Sequence, residues 1–310
     1  QKYFRFTLQI RKFAHNNIKY SILFCKSMKT KTFVTVLLLL VCTIVNAQLS
    51  LKTEYFGKSS YRDENNQKIG DSKGAAVVYQ GSVNIPFIQK MNDSNQATIW
   101  GIGISGTYVK LNNDNFTDDL VLSQIMNLQL ALFHIRPISE KWSIMANVGA
   151  GIYTPDTKFS KIRMRNLLGN VGLIFIRHFK PNIEVGGGLA FNNTFGYPML
   201  FPAIYFSWEY NKQFICKISA LDGLNLLLGY KLNDFTSLNF ITEMNGQMAL
   251  TKKDNREKIF THQYIVVGLR PSINISDKIS IPITIGFNAM RAAYYDNRNI
   301  KALFQSMSRE

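Results

Sequence analysis

The sequence predicts an all-β protein: a transmembrane, antiparallel, up-and-down β-barrel of about 14 strands when complete. Three observations carry this. Apolar residues recur with a period of two rather than 3.6, the mark of strands with unlike faces. The 310 residues contain no long apolar run after Gln48. And the segment "MKTKTFVTVLLLLVCTIVNAQ", from Met28 to Gln48, has the three parts of a secretory signal.

In that segment Lys29 and Lys31 form a basic start, 33–45 is uncharged, and Val45-Asn46-Ala47 suits cleavage before Gln48. A membrane span needs roughly 20 apolar residues, more than this run offers. Cys42 follows Leu39, Leu40 and Val41, without the small residue that precedes a lipoprotein cysteine. Residues 28–47 are therefore expected to be a cleaved signal peptide and 48–310 the barrel. Residues 1–27, basic and lacking an initiator Met, are expected to be untranslated upstream sequence.

The chain holds 36 Lys or Arg and 20 Asp or Glu; eight of the basic residues and no acid lie in 1–47, so the formal charge falls from +16 to +8 beyond Ala47. A nucleic-acid partner loses its support. Past that point only Cys216 remains, so no intramolecular disulfide is possible.

The alternation then runs along the chain. Ala75, Val77, Tyr79, Gly81, Val83 and Ile85 share one face, with Gln80, Ser82 and Asn84 on the other. Trp100, Ile102 and Ile104 alternate with glycine and serine; Met126, Leu128, Leu130 and Leu132 alternate with Asn127 and Gln129. Trp142, Ile144, Ala146 and Val148 face away from Ser143 and Asn147. The pattern recurs at Ile183/Val185/Leu189/Phe191, Ile204/Phe206/Trp208/Tyr210, Leu224/Leu226/Leu228/Tyr230 and Leu238/Phe240/Met244/Met248, and last at Ile279–Phe287. The polar face carries Lys52, Glu54, Glu184, Glu209, Lys217, Lys231 and Glu243, candidate lumen-lining charges. In lipid, backbone groups must pair within the protein, so a chain of strands spans as a closed barrel, apolar outside and polar within.

Connections alternate in length. Long ones are expected at 57–73, "NNDNFTDD", "TPDTKFSKIR", "NNTFGYPMLF" and "TKKDNREK", and short ones at "RPISEK", "KPN", "NK", "NDFT" and "ISDK". That is the pattern of external loops and periplasmic turns. Residues 86–96 and "ALDG" break it. Trp100, Trp142 and Trp208 share the apolar face at the predicted periplasmic end, a candidate interface girdle.

Thirteen strands are predicted, at 49–56, 74–87, 97–110, 120–135, 141–153, 165–179, 183–191, 202–210, 213–220, 222–232, 237–250, 260–273 and 279–290. An even number is expected of such barrels. Either the closing strand is missing, with 291–310 an external loop, or 213–232 is one strand split in two and the count is 12.

The chain resembles outer-membrane β-barrel families of Bacteroidota, one of them described only as a domain of unknown function. The resemblance rests on the Ala47-Gln48 junction, "RPISEKWSIMANVGAGIY", "NIEVGGGLAFNNTFGYPMLFPAIYFSWEY" and "GFNAMRAAYYDNRN". It implies an outer-membrane barrel and transfers no catalytic residue.

Catalytic motifs are not evident. His134 and His178 fall near predicted periplasmic strand ends, and His262 beside an external loop, where a lumen serine such as Ser105 is within conceivable reach. That pair is the basis for a minor alternative, an outer-membrane lipid hydrolase or acyltransferase. No zinc-like ligand spacing occurs, and Asn112–Asp119 lacks the glycine and spaced glutamate of a calcium loop. "GIGISG" and "GGG" lie inside strands, away from any helix N-terminus that would hold phosphate. No cofactor is expected. The expected task is a passive channel or transporter for small solutes, with a structural, non-conducting barrel as the alternative. The expected partners are outer-membrane lipid and lipopolysaccharide, with the barrel-assembly machinery and periplasmic chaperones during biogenesis.

Overall fold

A computed structural model describes residues 47–298 apart from 64, 93–95, 116–121, 194–197, 222, 254 and 277–278. The expected upstream extension, the signal segment up to Asn46 and the tail from 299 lie outside the described residues. The strands are β1 (Gln48–Arg62), β2 (Lys68–Met91), β3 (Ala97–Asp114), β4 (Gln124–Ser139), β5 (Trp142–Thr154), β6 (Leu167–Lys180), β7 (Ile183–Asn192), β8 (Met199–Tyr210), β9 (Phe214–Ala220), β10 (Leu224–Lys231), β11 (Thr236–Lys253), β12 (Arg256–Ser276), β13 (Ile279–Pro282) and β14 (Ile285–Asn297). Two 3-10 turns, Phe159–Lys161 and Met164–Asn166, sit between β5 and β6.

The architecture is all-β. From β1 to β12 each strand pairs antiparallel with the next, forming one strongly curled half-barrel sheet. β13 and β14 both pair with β12, at successive stretches of it, and so act as one strand interrupted at 283–284. Among the described residues the sheet therefore has thirteen strand positions, one for each segment the sequence predicts. The 12-strand alternative is overturned: β9 and β10 form a separate hairpin, and its turn is tight because Gly223 adopts φ 95°.

Strand ends differ from expectation at the loop-rich rim. Residues 57–73 were expected to be a loop, yet β1 and β2 continue as a ladder to a turn at 63–67. Likewise "TKKDNREK" pairs up to Lys253 and Arg256. The segment after Met290, expected to be an external loop, extends β14 to Asn297 against Lys258. In each case polar residues join the ladder, in 57–73 across two register shifts, because backbone pairing needs no apolar side chain. At the other rim β2 reaches Met91, which shortens the anomalous 86–96 link to 92–96. There Asn211 and Lys212 take φ 50° and 55°, as a tight hairpin turn requires.

The predicted faces hold through most of the sheet. Leu51, Tyr55, Leu130, Val148, Ile204 and Phe287 stand exposed on the outside. Lys52 and Glu54 alternate with the first two and point inward.

The departure comes at β11 and β12. β10 ends its pairing opposite Met244, so among the described residues 245–253 of β11 has no ladder partner on that side. This free edge turns into the half-barrel and packs on β4, β5 and the second 3-10 turn. Asn127 Nδ2 donates to the Met248 carbonyl at 2.6 Å, and Asn166 Nδ2 donates to that of Leu250 at 2.7 Å. Two side-chain amides thus replace a missing strand, as buried backbone acceptors require. One face of the folded-in hairpin (Ala249, Phe260, Tyr264) joins Phe56, Val78, Val109 and Ile125 in a core. The opposite face packs Met248, Leu250 and Ile259 on Tyr153. Met248 was expected on the outer surface with Met244; it is fully buried, because beyond β10 the outer face of β11 looks onto the inner wall of the sheet. A third cluster, Ile174, Ile176, Ala190, Phe201 and Ala203, lies on the inward parity of β6–β8. The interior is thus apolar in part, not polar throughout as the alternation predicts.

Candidate functional site

The inward charges gather into two places. In the first, Lys52 Nζ contacts the Glu54 carboxylate and lies 3.5 Å from Glu243 Oε2, bridging β1 to β11 across the interior. Arg270, next to Glu243 on β12, donates from Nη1 to Glu243 Oε1 at 2.7 Å and from Nε to Thr284 Oγ1 at 2.7 Å. Its Nη2 is buried and has no acceptor among the described residues. Tyr264 donates its hydroxyl to Glu54 Oε2 at 2.7 Å and receives Gln247 Nε2 at 3.4 Å. Gln247 Oε1 lies 3.1 Å from His262 Nδ1, and Arg291 Nε donates to His262 Nε2 at 3.3 Å. One polar chain thus runs from Arg270 to Arg291. Paired and hydrogen-bonded charges are the only ones that tolerate such burial.

Below this layer, toward the short-turn rim, lies a cavity of about 450 Å³. Glu209, Lys217 and Lys231 line it together with Asn and Ser side chains from β9 to β13. Lys231 also donates to Asp234 at 2.7 Å, in the β10–β11 turn, and holds that carboxyl below its ordinary pKa.

Glu184 stands apart. Its Oε1 is 3.0 Å from His178 Nδ1, and its Oε2 accepts from the Tyr205 hydroxyl at 3.0 Å. His178 Nε2 is in turn 2.8 Å from Ser143 Oγ. These side chains come from β5, β6, β7 and β8 and all face inward. Sequence motifs alone give His178 no common site. The usable signal is that His178 and Glu184 flank the "KPN" turn on one parity, so the hairpin must set them opposite each other, as the register does.

The other expected residues are also placed. Trp142 and Trp208 are partly exposed on the outer face beside the 140–141 and 211–213 turns, and Trp100 lies near the 92–96 turn, stacked on His134 at 3.9 Å. His262 does not meet Ser105: its ring nitrogens face Gln247 and Arg291. Gly101–Gly106 and Gly186–Gly188 lie within β3 and β7. Of Asn112–Asp119, 116–119 fall outside the described residues; Asp114 pairs with Lys58 at 2.5 Å. Among the described residues no group of three His, Cys, Asp or Glu converges as a metal site would.

A curled antiparallel sheet, apolar outside and partly charged within, makes this a β-barrel-like protein. The chain belongs to the DUF6268 family, a domain of unknown function, whose profile matches residues 43–310. No curated protein matches it.

Proposed function

We infer that the chain is an outer-membrane β-barrel, exported by the 28–47 signal, that admits small polar solutes and is held closed by its own interior. The exposed outer band of Leu, Ile, Val, Phe and Tyr supports the membrane reading, since soluble monomers rarely expose apolar patches beyond a few hundred Å². So does the siting of Trp100, Trp142 and Trp208 by turns of one rim. Lipid and lipopolysaccharide are then its surroundings, and the barrel-assembly machinery and periplasmic chaperones its partners in biogenesis.

The observation that carries the solute reading is the cavity lined by Glu209, Lys217 and Lys231, ending beneath the Lys52–Glu243–Arg270 layer. Charges of both signs facing water suit a path for polar molecules. Planar-bilayer recording of the refolded protein tests it. The wild type is expected to show rare, brief openings, and Glu243→Ala combined with Arg270→Ala longer ones. A folded protein silent in both forms overturns the solute reading and leaves the structural barrel. The structural reading draws on the folded-in hairpin, whose two faces fill much of the interior.

A further inference from the structure

The Ser143–His178–Glu184 row has an order that structural support alone does not require. Ser143 Oγ reaches His178 Nε2 at 2.8 Å, and Nδ1 of the same ring reaches Glu184 Oε1 at 3.0 Å. With Nδ1 carrying the proton toward the carboxylate, Nε2 is left as the acceptor of the serine proton. This is the nucleophile–base–orienter relationship, recognised by geometry rather than by sequence order. Tyr205 occupies the second oxygen of Glu184 and fixes its carboxylate plane.

The base and its orienter are partly open to the interior. The side chains of His178 and Glu184 keep 29% and 35% of their surface exposed. The ladder runs Glu184 to Ser207 to Lys217, and Lys217 is a wall of the cavity. The row therefore lies on the same inner wall as the solute cavity, two strands from it, with Ser143 itself buried at 8% exposure. Ser143 points inward, whereas Trp142, its neighbour, is exposed outside. A bilayer lipid outside the sheet cannot reach it.

We propose that Ser143 and His178 are catalytic residues for hydrolysis of small, water-soluble carboxylic esters, with Glu184 a positioning residue. Ser143 Oγ attacks the ester carbonyl carbon while His178 Nε2 takes its proton. The tetrahedral intermediate collapses as the alkoxy group leaves and receives that proton. Water, deprotonated by His178, then attacks the acyl-serine, whose Oγ recovers the proton, and the carboxylic acid departs. The role differs from the lipid hydrolase expected around His262 and is independent of whether solutes cross the barrel.

The refolded full chain in detergent, treated with a fluorophosphonate, should gain one phosphonyl group, mapped by peptide mass spectrometry to Ser143. It should also hydrolyse p-nitrophenyl butyrate but not phosphatidylcholine in mixed micelles. His178→Gln should slow both labelling and hydrolysis by about 100-fold or more. Glu184→Gln should lower kcat with KM unchanged, and Glu184→Asp should restore much of it. Folding is checked by heat-modifiable gel migration and β-sheet circular dichroism. Folded wild type that takes no label at Ser143, or that labels as fast in folded His178→Gln, overturns the proposal, and so does Ser143-dependent turnover of phosphatidylcholine. The wild-type labelling needs no variant to fold.

Discussion

Arg270 and Glu243 form a buried ion pair between adjacent strands: Nη1 donates to Oε1 at 2.7 Å, and the two side chains keep only 3% and 6% of their surface exposed. Removing one partner strands the other charge in a poor solvent for it, which costs about 3–5 kcal/mol. Glu243→Leu should therefore lower the urea midpoint of the detergent-refolded protein markedly. The double variant with Arg270→Met should regain most of that loss, because a well-packed apolar pair is often as stable as the ion pair it replaces. A double variant no better than the single one would contradict this account.

The two side-chain amides on the free edge of β11 make a separate expectation. Asn127→Leu leaves the Met248 carbonyl buried without its 2.6 Å donor. An unsatisfied buried group costs about 1–3 kcal/mol. Hydrogen exchange at 245–253 should quicken about tenfold or more, while exchange in β7 stays as it was. Equal acceleration in both regions would mean the amide does not hold the edge locally.

Within "GGG" two neighbours should behave oppositely. A Cβ on Gly188 would sit 1.9 Å from the Leu173 carbonyl oxygen, inside the β6–β7 ladder, whereas one on Gly187 meets nothing within 4 Å. Backbone must move to admit the first, at about 1–3 kcal/mol. Gly188→Ala should thus lower the urea midpoint and Gly187→Ala leave it nearly unchanged; the reverse order would refute the packing.

Cys216 and Lys217 test the proposed lipid-facing side. Cys216 shares its parity with Trp208 and Leu228, and Lys217 lines the cavity. With Cys25 and Cys42 replaced by serine, a spin label on Cys216 should relax strongly with oxygen and weakly with a water-soluble nickel chelate. A label at Lys217→Cys, in a Cys216→Ser background, should show the opposite. Equal nickel access at both positions would count against a membrane-facing outer surface.

Much of the sheet was legible because most strands carry an unbroken apolar parity on one side and polar residues on stretches of the other, so parity alone assigns Leu51 outward and Lys52 inward. Thirteen strand positions followed from alternation and turn chemistry. What stayed hidden depends on sequence-distant elements. Met248 obeys the same alternation as Met244, and only the early end of β10 puts it inside. Lys52 and Glu243 were visible as inward charges, but their meeting across the interior was not. Ser143 and His178 both fall on the inward parity, but their approach needs the β5–β6 register, in which His178 lies just past the Trp142–Arg177 pair.

The folded-in hairpin also constrains the order of assembly. Neighbouring strands of a meander meet within microseconds because little chain separates them. The contacts that seat the hairpin join residues far apart: Asn127 to Met248 spans 121 positions and Glu54 to Tyr264 spans 210, while Arg291 of β14 reaches Gly74 of β2 across 217. Closing loops of that length carries an entropic cost that must be met before any contact rewards it. The sheet should therefore zip as separate hairpins first. The curl around β11–β12 comes last, so the hairpin has to be in place before the walls draw in.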